Sequence, residues 1–400
     1  MNTPRMNWIL LAGYALLSLG VLVAAFVSPE VRAVAYAPLR DWIVPPPESI
    51  VISVLYSTEK ELWMQEAVAQ FARTKTRIAG RPIEVTLEKS GSREMYLAVL
   101  DGQAQPDLIS PASMLQIALL EDLSASKFGR PLVNRQEQAT CRPVLTSPLV
   151  LVAWQERAAV LWGDHPNGDM WRRMHDALID PQGWESYGHP EWGYIKFGHT
   201  NPLSSNSGFQ TLLLMTYNYF EKTRGLTSAD ILANPAYQQW LIEFESTISK
   251  FGDSTGTYMN EIVAYGPSMY DFVAVYEATA IEQMENAVGR YGELHVYYPP
   301  ATSLSDHPFC VLQADWVTLE KAQAAQAFLD FLTGPEMQQL ALVKYGFRPV
   351  DSAISLEQPG SPFARYAANG VQVQLPPAVE TPRGDVLQTL LDFWQRNVQR

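Results

Sequence analysis

The chain has 400 residues, more than one ordinary hydrophobic core organises, so two or three lobes are expected. Its composition, 47% apolar and 18% charged, is that of a folded globular protein. The formal net charge of −13 argues against a nucleic-acid-binding protein, which needs a basic surface to displace counterions from phosphates.

An uncharged apolar run occupies residues 8–27. About 20 apolar residues match the thickness of a bilayer, and Arg5 ahead of the run favours a cytoplasmic N-terminus. The alternative is a cleaved signal peptide, because Ala-x-Ala patterns occur at residues 33–35 and 35–37. The length of the run favours an uncleaved anchor, since signal peptides have shorter apolar cores. Residues 1–28 are therefore the predicted anchor or signal, and in both alternatives the rest of the chain is exported.

A proline-rich linker follows at residues 29–49, and its three consecutive prolines act as a stiff spacer. Strands are predicted at residues 50–55, 83–87 and 106–109, with helices at residues 59–73 and 93–100 between them. This β-α-β-α-β order predicts an α/β fold with a mostly parallel sheet and helices on its faces.

The second half of the chain continues the mixture of strands and helices. Further strands are predicted at residues 148–153, 272–276, 295–298 and 309–312. Further helices are predicted at residues 206–220, 279–289, 319–332, 335–345 and 387–398.

Signatures of enzymes and of metal sites are missing from the sequence. It has no Gly-x-Ser-x-Gly elbow, no Walker A lysine and no dinucleotide-type glycine-rich turn, so no catalytic residue and no cofactor are predicted. The two cysteines, Cys141 and Cys310, are isolated and form neither a CxxC pair nor a zinc cage. Of the six histidines, His199 and His307 are interpreted as ordinary loop residues.

Short motifs follow one another in a definite order between residues 50 and 349. They are Tyr56-Ser57-Thr58, Ser90-Gly91-Ser92, Pro106-Asp107, Ser147-Pro148-Leu149, Leu178-Ile179-Asp180-Pro181, the serine-rich loop from Thr200 to Gly208, and Tyr345-Gly346-Phe347-Arg348-Pro349. In this order they resemble the type 2 periplasmic solute-binding proteins of ABC importers, in the branch that contains the molybdate, sulfate and ferric-ion binders. The apolar N-terminal run and the long tail after Asp351 depart from that family.

The resemblance implies two α/β lobes, each with a central, mostly parallel sheet, joined by crossovers near Pro148 and near His307. Residues 50–147 and 307–400 form the first lobe, and residues 148–306 form the second. The same topology places Cys141 and Cys310 close to the crossovers, so a disulfide between them is predicted. Two buried free thiols are the alternative.

The implied function is capture of a small polar solute between the lobes and its delivery to the permease of an ABC importer, without catalysis. The protein is expected to be a monomer, single-pass in the cell membrane, with its globular part extracellular or periplasmic. Oxyanion, carboxylate, sugar and metal ligands all stay open. The alternative function is a membrane-anchored sensor ectodomain that passes the closure of its lobes to a signalling partner.

Candidate ligand-binding residues lie close to predicted strand ends and helix starts. They are Ser57, Ser92, Ser147, Asn201, Ser204, Ser205, Ser207, Tyr270 and Glu277. Hydroxyl and N–H groups at such positions replace the hydrogen bonds that water makes to a polar ligand, and a helix start at residues 205–208 suits an anion. The alternative is structural: the serines are helix N-caps, Gly208 permits close packing, and Glu277 caps the helix that follows it.

Overall fold

The computed structural model describes residues 4–27, 48–163 and 169–398. The chain divides into two units, one of Met1–Ser49 with Ala79–Pro82 and one of Ile50–Ile78 with Ile83–Arg400. In the described ranges the strands are β1 (Ile50–Ser57), β2 (Arg77–Ile78), β3 (Arg81–Ser90), β4 (Leu108–Ser110), β5 (Cys141–Pro143), β6 (Leu145–Trp154), β7 (Phe197–Gly198), β8 (Phe272–Tyr276), β9 (Leu294–Tyr297), β10 (Leu304–Ser305), β11 (Pro308–Val311) and β12 (Arg348–Pro349).

The helices of the same ranges are α1 (Pro4–Val27), α2 (Glu61–Thr74), α3 (Ser92–Leu100), α4 (Met114–Phe128), α5 (Gln155–Trp162), α6 (Met170–Ile179), α7 (Asn206–Tyr219), α8 (Ser228–Leu232), α9 (Pro235–Ser246), α10 (Thr255–Tyr265), α11 (Glu277–Ala287), α12 (Leu319–Leu332), α13 (Pro335–Tyr345), α14 (Pro362–Arg365) and α15 (Gly384–Asn397). Single 3₁₀ turns occupy Thr58–Lys60, Gly183–Tyr187, Pro190–Trp192, Gly266–Ser268 and Ala367–Asn369.

Helix α1 contains the apolar run of the sequence. Over the described part of the chain, the structure offers no helix with both the length and the apolar character that a membrane crossing needs. The predicted anchor also includes side chains that lie outside the described residues. The membrane-spanning role of residues 8–27 therefore stays a prediction.

The first sheet has the strand order β2-β3-β1-β4-β11-β5. Strand β1 runs parallel to both β3 and β4, as the alternation of strands and helices predicted. Parallel strands end at the same edge of a sheet, and here three serines meet at that edge: Ser57 is opposite Ser90, and Ser110 ends the neighbouring strand. Strand β11 is antiparallel to β4 and β5.

The second sheet has the order β10-β6-β8-β7, with β9 and β12 also paired to β6. Strands β8, β9, β10 and β12 all run antiparallel to β6, and only β7 and β8 are parallel. The prediction of a mostly parallel sheet in each lobe is wrong for this one. Strand β6 carries the chain away from the first sheet, and the strands paired with it run in the returning direction.

Two of the segments that carry the chain between the sheets lie side by side. Strand β6 begins two residues after β5 of the first sheet, and β10 is followed by β11 of that sheet after Asp306 and His307. The two segments pair with each other, with Ser305 opposite Ser147. Next to them a disulfide joins Cys141 of β5 to Cys310 of β11, which confirms the predicted bond.

Candidate functional site

A cavity of about 230 Å³ lies at the edge where β1 and β3 end. It is lined by Ser57, Thr58, Glu59, Ser90, Gly91, Ser92, Glu94, Ser204, Ser205, Asn206, Asp253, Ser254, Thr255 and Tyr276, which come from both halves of the fold. Hydroxyl groups make up most of this lining, and none of these lining residues is a lysine or an arginine. The cleft continues into an adjoining cavity of about 420 Å³ that shares Thr58, Glu59 and Ser254.

Four helices begin at the wall of this cavity. The residues that precede their first turns all line it: Gly91 for α3, Ser205 for α7, Ser254 for α10 and Tyr276 for α11. The N–H groups of a first helical turn have no partner inside the helix, and the helix dipole places partial positive charge there. The wall is therefore built around helix N-termini, whose partial positive charge favours an anionic group.

The structure brings together four of the predicted site residues. Ser57, Ser92, Ser204 and Ser205 line the cavity, whereas Ser147, Asn201, Ser207, Tyr270 and Glu277 are not among its lining residues. Ser57 and Ser205 each precede a helical turn, but neither side chain makes a capping hydrogen bond. Capping therefore does not account for these two hydroxyls.

Three of the remaining predicted residues have partners inside the protein. Ser147 Oγ accepts the N–H of Ala278 in the first turn of α11 at 2.9 Å. The Glu277 carboxylate is held by Arg348 through two contacts of 2.7 Å, and although burial raises the pKa of Glu277, Arg348 opposes that rise. Tyr270 packs its ring on a neighbouring buried tyrosine, with 4.6 Å between ring centroids. The structure thus places these three side chains among protein partners, where they hold the elements around α10 and α11 together, and not in the lining of this cavity.

The other two predicted residues shape the loop that precedes α7. Asn201 Oδ1 accepts a backbone N–H of the same loop at 2.8 Å. Ser207 Oγ is fully buried and lies 2.7 Å from both Thr200 Oγ1 and Thr255 Oγ1. A Cβ added to Gly208 would lie 1.9 Å from the Thr200 carbonyl oxygen, so this glycine permits the close packing of loop and helix. Ser207 therefore contacts the lining residue Thr255 from the protein interior and does not face the cavity itself.

Asn206 joins the two halves of the fold and was missed as a site residue by the sequence analysis. Its Oδ1 accepts hydrogen bonds from Ser113 Oγ and Gln116 Nε2, both 2.8 Å long, at the start of α4. Its Nδ2 donates to the Tyr276 hydroxyl at 2.9 Å. All four residues are buried. The sequence signal for this residue is an amide side chain directly after Ser205, at the start of a predicted helix.

Buried charges lie directly behind Ser57. Burial alone would raise the pKa of the Glu59 carboxyl, but Lys60 and His307 outweigh burial and lower it to about 2. Burial lowers the pKa of Lys60 to about 8 and the pKa of His307 to about 4. Lys60 Nζ donates to the Ser57 hydroxyl and to the Pro111 carbonyl, the latter at 3.2 Å. The one carboxylate of the cavity floor is therefore neutralised by a cation that does not itself line the cavity.

Asp306, in the segment between β10 and β11, accepts the Met114 N–H at 2.7 Å. Burial raises its pKa to about 6, against the attraction of Lys60. The folded protein therefore holds this proton more tightly than the unfolded chain, and the stability contributed by the protonated carboxyl is lost as the pH rises from about 4 to 6.

Asp306→Asn keeps the acceptor for Met114 and removes this ionisation. We expect the free energy of unfolding of the variant, minus that of the wild type, to be near zero at pH 4 and to grow to roughly 1–3 kcal/mol above pH 6. Urea unfolding of both proteins at several pH values measures this difference, in which the other titrating groups cancel. A difference that does not change with pH would show that burial does not raise the pKa of Asp306.

The interpretation of His199 and His307 as ordinary loop residues is wrong, because both side chains are fully buried. His307 Nδ1 lies 3.3 Å from a Glu59 carboxylate oxygen. His199 Nδ1 lies 2.7 Å from the Thr200 carbonyl oxygen, and its Nε2 lies 3.1 Å from a Glu245 carboxylate oxygen. Both loops fold into the interior, where the His199 ring has hydrogen-bond partners and the His307 ring has the contact with Glu59 but no hydrogen bond within the described part of the chain. Among the described residues, no group of three or more histidines, cysteines or carboxylates is arranged to hold a metal ion.

Comparisons with known proteins agree with the fold. The family described as bacterial extracellular solute-binding protein matches residues 52–348. No curated protein sequence matches the chain. The matching family is one of extracellular solute-binding proteins, which does not favour the sensor alternative.

Solved structures of binding proteins share the fold. The sulfate-binding protein of Mycobacterium tuberculosis is 20% identical with a TM-score of 0.52, over 82% of this chain and 93% of that one. The periplasmic binding protein AfuA of Actinobacillus pleuropneumoniae, with fructose-6-phosphate bound, is 14% identical with a TM-score of 0.58, over 88% and 99%. The iron-bound protein HitA of Pseudomonas aeruginosa is 13% identical with a TM-score of 0.57, over 88% and 100%. At these identities the likeness concerns the two-lobed fold alone.

Proposed function

The chain belongs to the bacterial extracellular solute-binding proteins, and on that basis we propose that it captures a small anionic solute in the cavity between its lobes and delivers it to the permease of an ABC importer. Members of this family bind solutes and are not enzymes. In this proposal the first lobe comprises residues 50–147 and 307–400, the second comprises residues 148–306, and the protein works as a monomer. Closure of the lobes on the solute is the event that the permease recognises.

The observation that carries the anionic ligand is the convergence of four helix starts on one hydroxyl-lined cavity. A buried anion needs several donors to replace its hydration, and hydroxyl groups beside helix N-termini supply them without a fixed opposite charge. A lysine or arginine in a dry cavity would bind the anion more strongly. Such strong binding would slow the release of the anion to the permease.

Two exposed carboxylates at the rim, Glu94 and Asp253, bear on the size of the solute. Glu94 accepts the Gly91 N–H at 3.3 Å, so the start of α3 already holds a negative group. Like charges repel most strongly at short range. The rim therefore favours a compact anion that sits deep, near Ser205 and Thr255, over one with further negative groups at the mouth.

Variants of Ser205, the cap residue of α7, and of Ser207, in its first turn, separate a role in ligand binding from a role in supporting the cavity wall. Ser205 lines the cavity, and its hydroxyl has one long contact of 3.4 Å to Ser207 Oγ. We expect Ser205→Ala to weaken binding of an anion by about tenfold or more while the free energy of unfolding changes by less than about 0.5 kcal/mol. Titration calorimetry with inorganic sulfate and phosphate, together with urea unfolding, measures both quantities.

Ser207→Ala is the matched control, because its hydroxyl is buried and bonded to Thr200 and Thr255. It should lower the free energy of unfolding by roughly 1–3 kcal/mol, since the buried partners lose a hydrogen bond. If Ser205→Ala also lowers stability while anion affinity is unchanged, Ser205 is structural and the proposed site is wrong.

We also propose that residues 8–27 anchor the protein in the cell membrane. The support is the absence of charge from this run and the length of α1, whose 24 residues extend about 36 Å. The expected result is that the full-length protein stays with the membrane fraction after an alkaline carbonate wash. A mature N-terminus that begins just after Ala35 or Ala37 would contradict the anchor.

A further inference from the structure

The segment after β12 lies beyond the part of the chain that matches the family. Its last helix, α15, packs against α4, which follows β4 of the first sheet, and against α8, which lies between β7 and β8 of the second. Gly384 lies so close to α4 that an added Cβ would be 2.2 Å from an Asp122 carboxylate oxygen. Thr389 Oγ1 lies 3.1 Å from Ser228 Oγ of α8. The helix thus contacts elements associated with both sheets.

A continuous series of buried hydrogen bonds leads from α15 to the ligand cavity. Trp394 Nε1 donates to Glu245 Oε2 at 2.7 Å, and Glu245 Oε1 lies 3.1 Å from His199 Nε2. His199 Nδ1 is 2.7 Å from the Thr200 carbonyl oxygen. Both ring nitrogens of His199 therefore face acceptors; a neutral imidazole donates to one of them, and an imidazolium donates to both.

The series ends at the cavity wall. The Thr200 hydroxyl is 2.7 Å from Ser207 Oγ, and Ser207 Oγ is 2.7 Å from the hydroxyl of Thr255, which lines the cavity. From Trp394 to Ser207 every member is at most 1% exposed, and Thr255 is 5% exposed. Water is not available at such depth to replace a lost partner, so the loss of one bond leaves its neighbours free to reorient.

We propose that α15 is a positioning element of the ligand site, in which Trp394, through Glu245 and His199, fixes Ser207 and, in front of it, the wall residue Thr255. The proposal rests on the proposed function in that it takes the cavity at the starts of α7 and α10 as the ligand site. Trp394 does not touch that cavity and acts only through the intervening side chains. The C-terminal segment, which is outside the family match, thereby becomes part of the binding machinery.

Trp394→Phe tests this proposal, because it keeps an aromatic ring in the buried position and removes the N–H donor. The measurement is amide hydrogen exchange of the full-length protein without added ligand, followed by mass spectrometry. Exchange in residues 199–208 and 254–258 is expected to become faster by about tenfold or more, as local opening of these segments becomes easier. Exchange in α2, which is in the first lobe, reports any general loss of stability.

Trp184→Phe is the matched control. Trp184 is also fully buried, lies in the same half of the fold, and donates its Nε1–H to a carboxylate, that of Asp271, at 3.1 Å. Trp184 does not belong to the series of hydrogen bonds that leads to Thr255. In the Trp184→Phe variant, residues 199–208 and 254–258 should therefore exchange within about twofold of the wild-type rates. If Trp394→Phe does not fold, Glu245→Gln replaces it and should accelerate exchange in the same two segments.

Equal exchange in Trp394→Phe and the wild type would overturn the proposal, and so would an equal acceleration by both tryptophan variants. Because the exchange is measured without ligand, this outcome is independent of whether sulfate or phosphate binds. Failure of anion binding would instead overturn the proposed function and leave the coupling of α15 to the cavity wall intact.

Discussion

Replacing Glu277 by alanine is expected to lower the free energy of unfolding by about 3–5 kcal/mol. Glu277 is 0% exposed and Arg348 is 6% exposed, and the guanidinium binds the carboxylate through Nε and one terminal nitrogen, each contact 2.7 Å long. Tyr298 also donates its hydroxyl to Glu277. Without the carboxylate, a buried guanidinium loses its counter-charge, and the solvation that it gave up on folding is not replaced.

The double substitution of Glu277 and Arg348 by methionine separates the energetic contribution of the ion pair from the cost of leaving one buried charge unpaired. It should cost less than Glu277→Ala, because no unpaired charge is left in the interior. Arg383→Ala, which breaks the exposed contact of 3.1 Å with Asp385, serves as the surface control and should have no measurable effect. A loss below about 1.5 kcal/mol for Glu277→Ala in urea unfolding would contradict the structural role of the pair.

Removing the disulfide by the double substitution Cys141→Ala and Cys310→Ala should have a similarly large effect. The two cysteines are 169 residues apart, and closing a loop of this length in the unfolded chain accounts for about 5 kcal/mol by chain entropy alone, an upper bound. A loss of about 2–4 kcal/mol is expected, because unfolded chains retain some structure. Urea unfolding of the variant and of the oxidised wild type measures it.

The reduced wild-type protein is the control, since it keeps both sulfur atoms and loses only the covalent bond. Both sulfur positions are fully buried, so reduction requires unfolding in the presence of a thiol. Its free energy of unfolding should match that of the double variant within about 1 kcal/mol. Two thiols that react with an alkylating reagent in the denatured, unreduced protein would contradict the bond.

The regular part of the fold was predictable from local pattern. The strand Phe272–Tyr276 and the helices Leu319–Leu332 and Pro335–Tyr345 have the predicted bounds, because each is a continuous apolar or amphipathic segment between clear turn signals. Helix α7 was predicted within one residue for the same reason. Strand direction in the second sheet was not predictable, since it depends on which strand the chain returns to and not on any local period.

The serine positions of the site were predictable only as a group. A strand end or helix start places Ser57 and Ser205 near a cleft edge, and the structure finds them at one cavity. The same rule selected Ser147 and Ser207, whose hydroxyls are used by Ala278, Thr200 and Thr255. Nothing local distinguishes a hydroxyl that faces a cavity from one that faces a neighbouring segment.

The residues that the sequence analysis missed work over long sequence separations. Trp394 reaches Glu245 across 149 residues, and Asn206 reaches Ser113 across 93. A period of 2 or 3.6 residues carries no information about such pairs. The feature that marks such residues is a polar side chain at a fully buried position, as for Glu245. Which positions are buried is known only from the fold, and not from the local sequence.

The most direct test of the central claim, that the cavity captures a small anion, is a thermal unfolding series of the full-length protein in chloride buffer at constant ionic strength. The added solutes are inorganic sulfate, phosphate and molybdate, with glucose and magnesium as neutral and cationic comparisons. At least one oxyanion should stabilise the folded state saturably, by about 2.7 kcal/mol at one hundred times its dissociation constant, and Ser205→Ala should weaken the effect. Stabilisation by glucose or magnesium, with none by any of the three oxyanions, would contradict the claim.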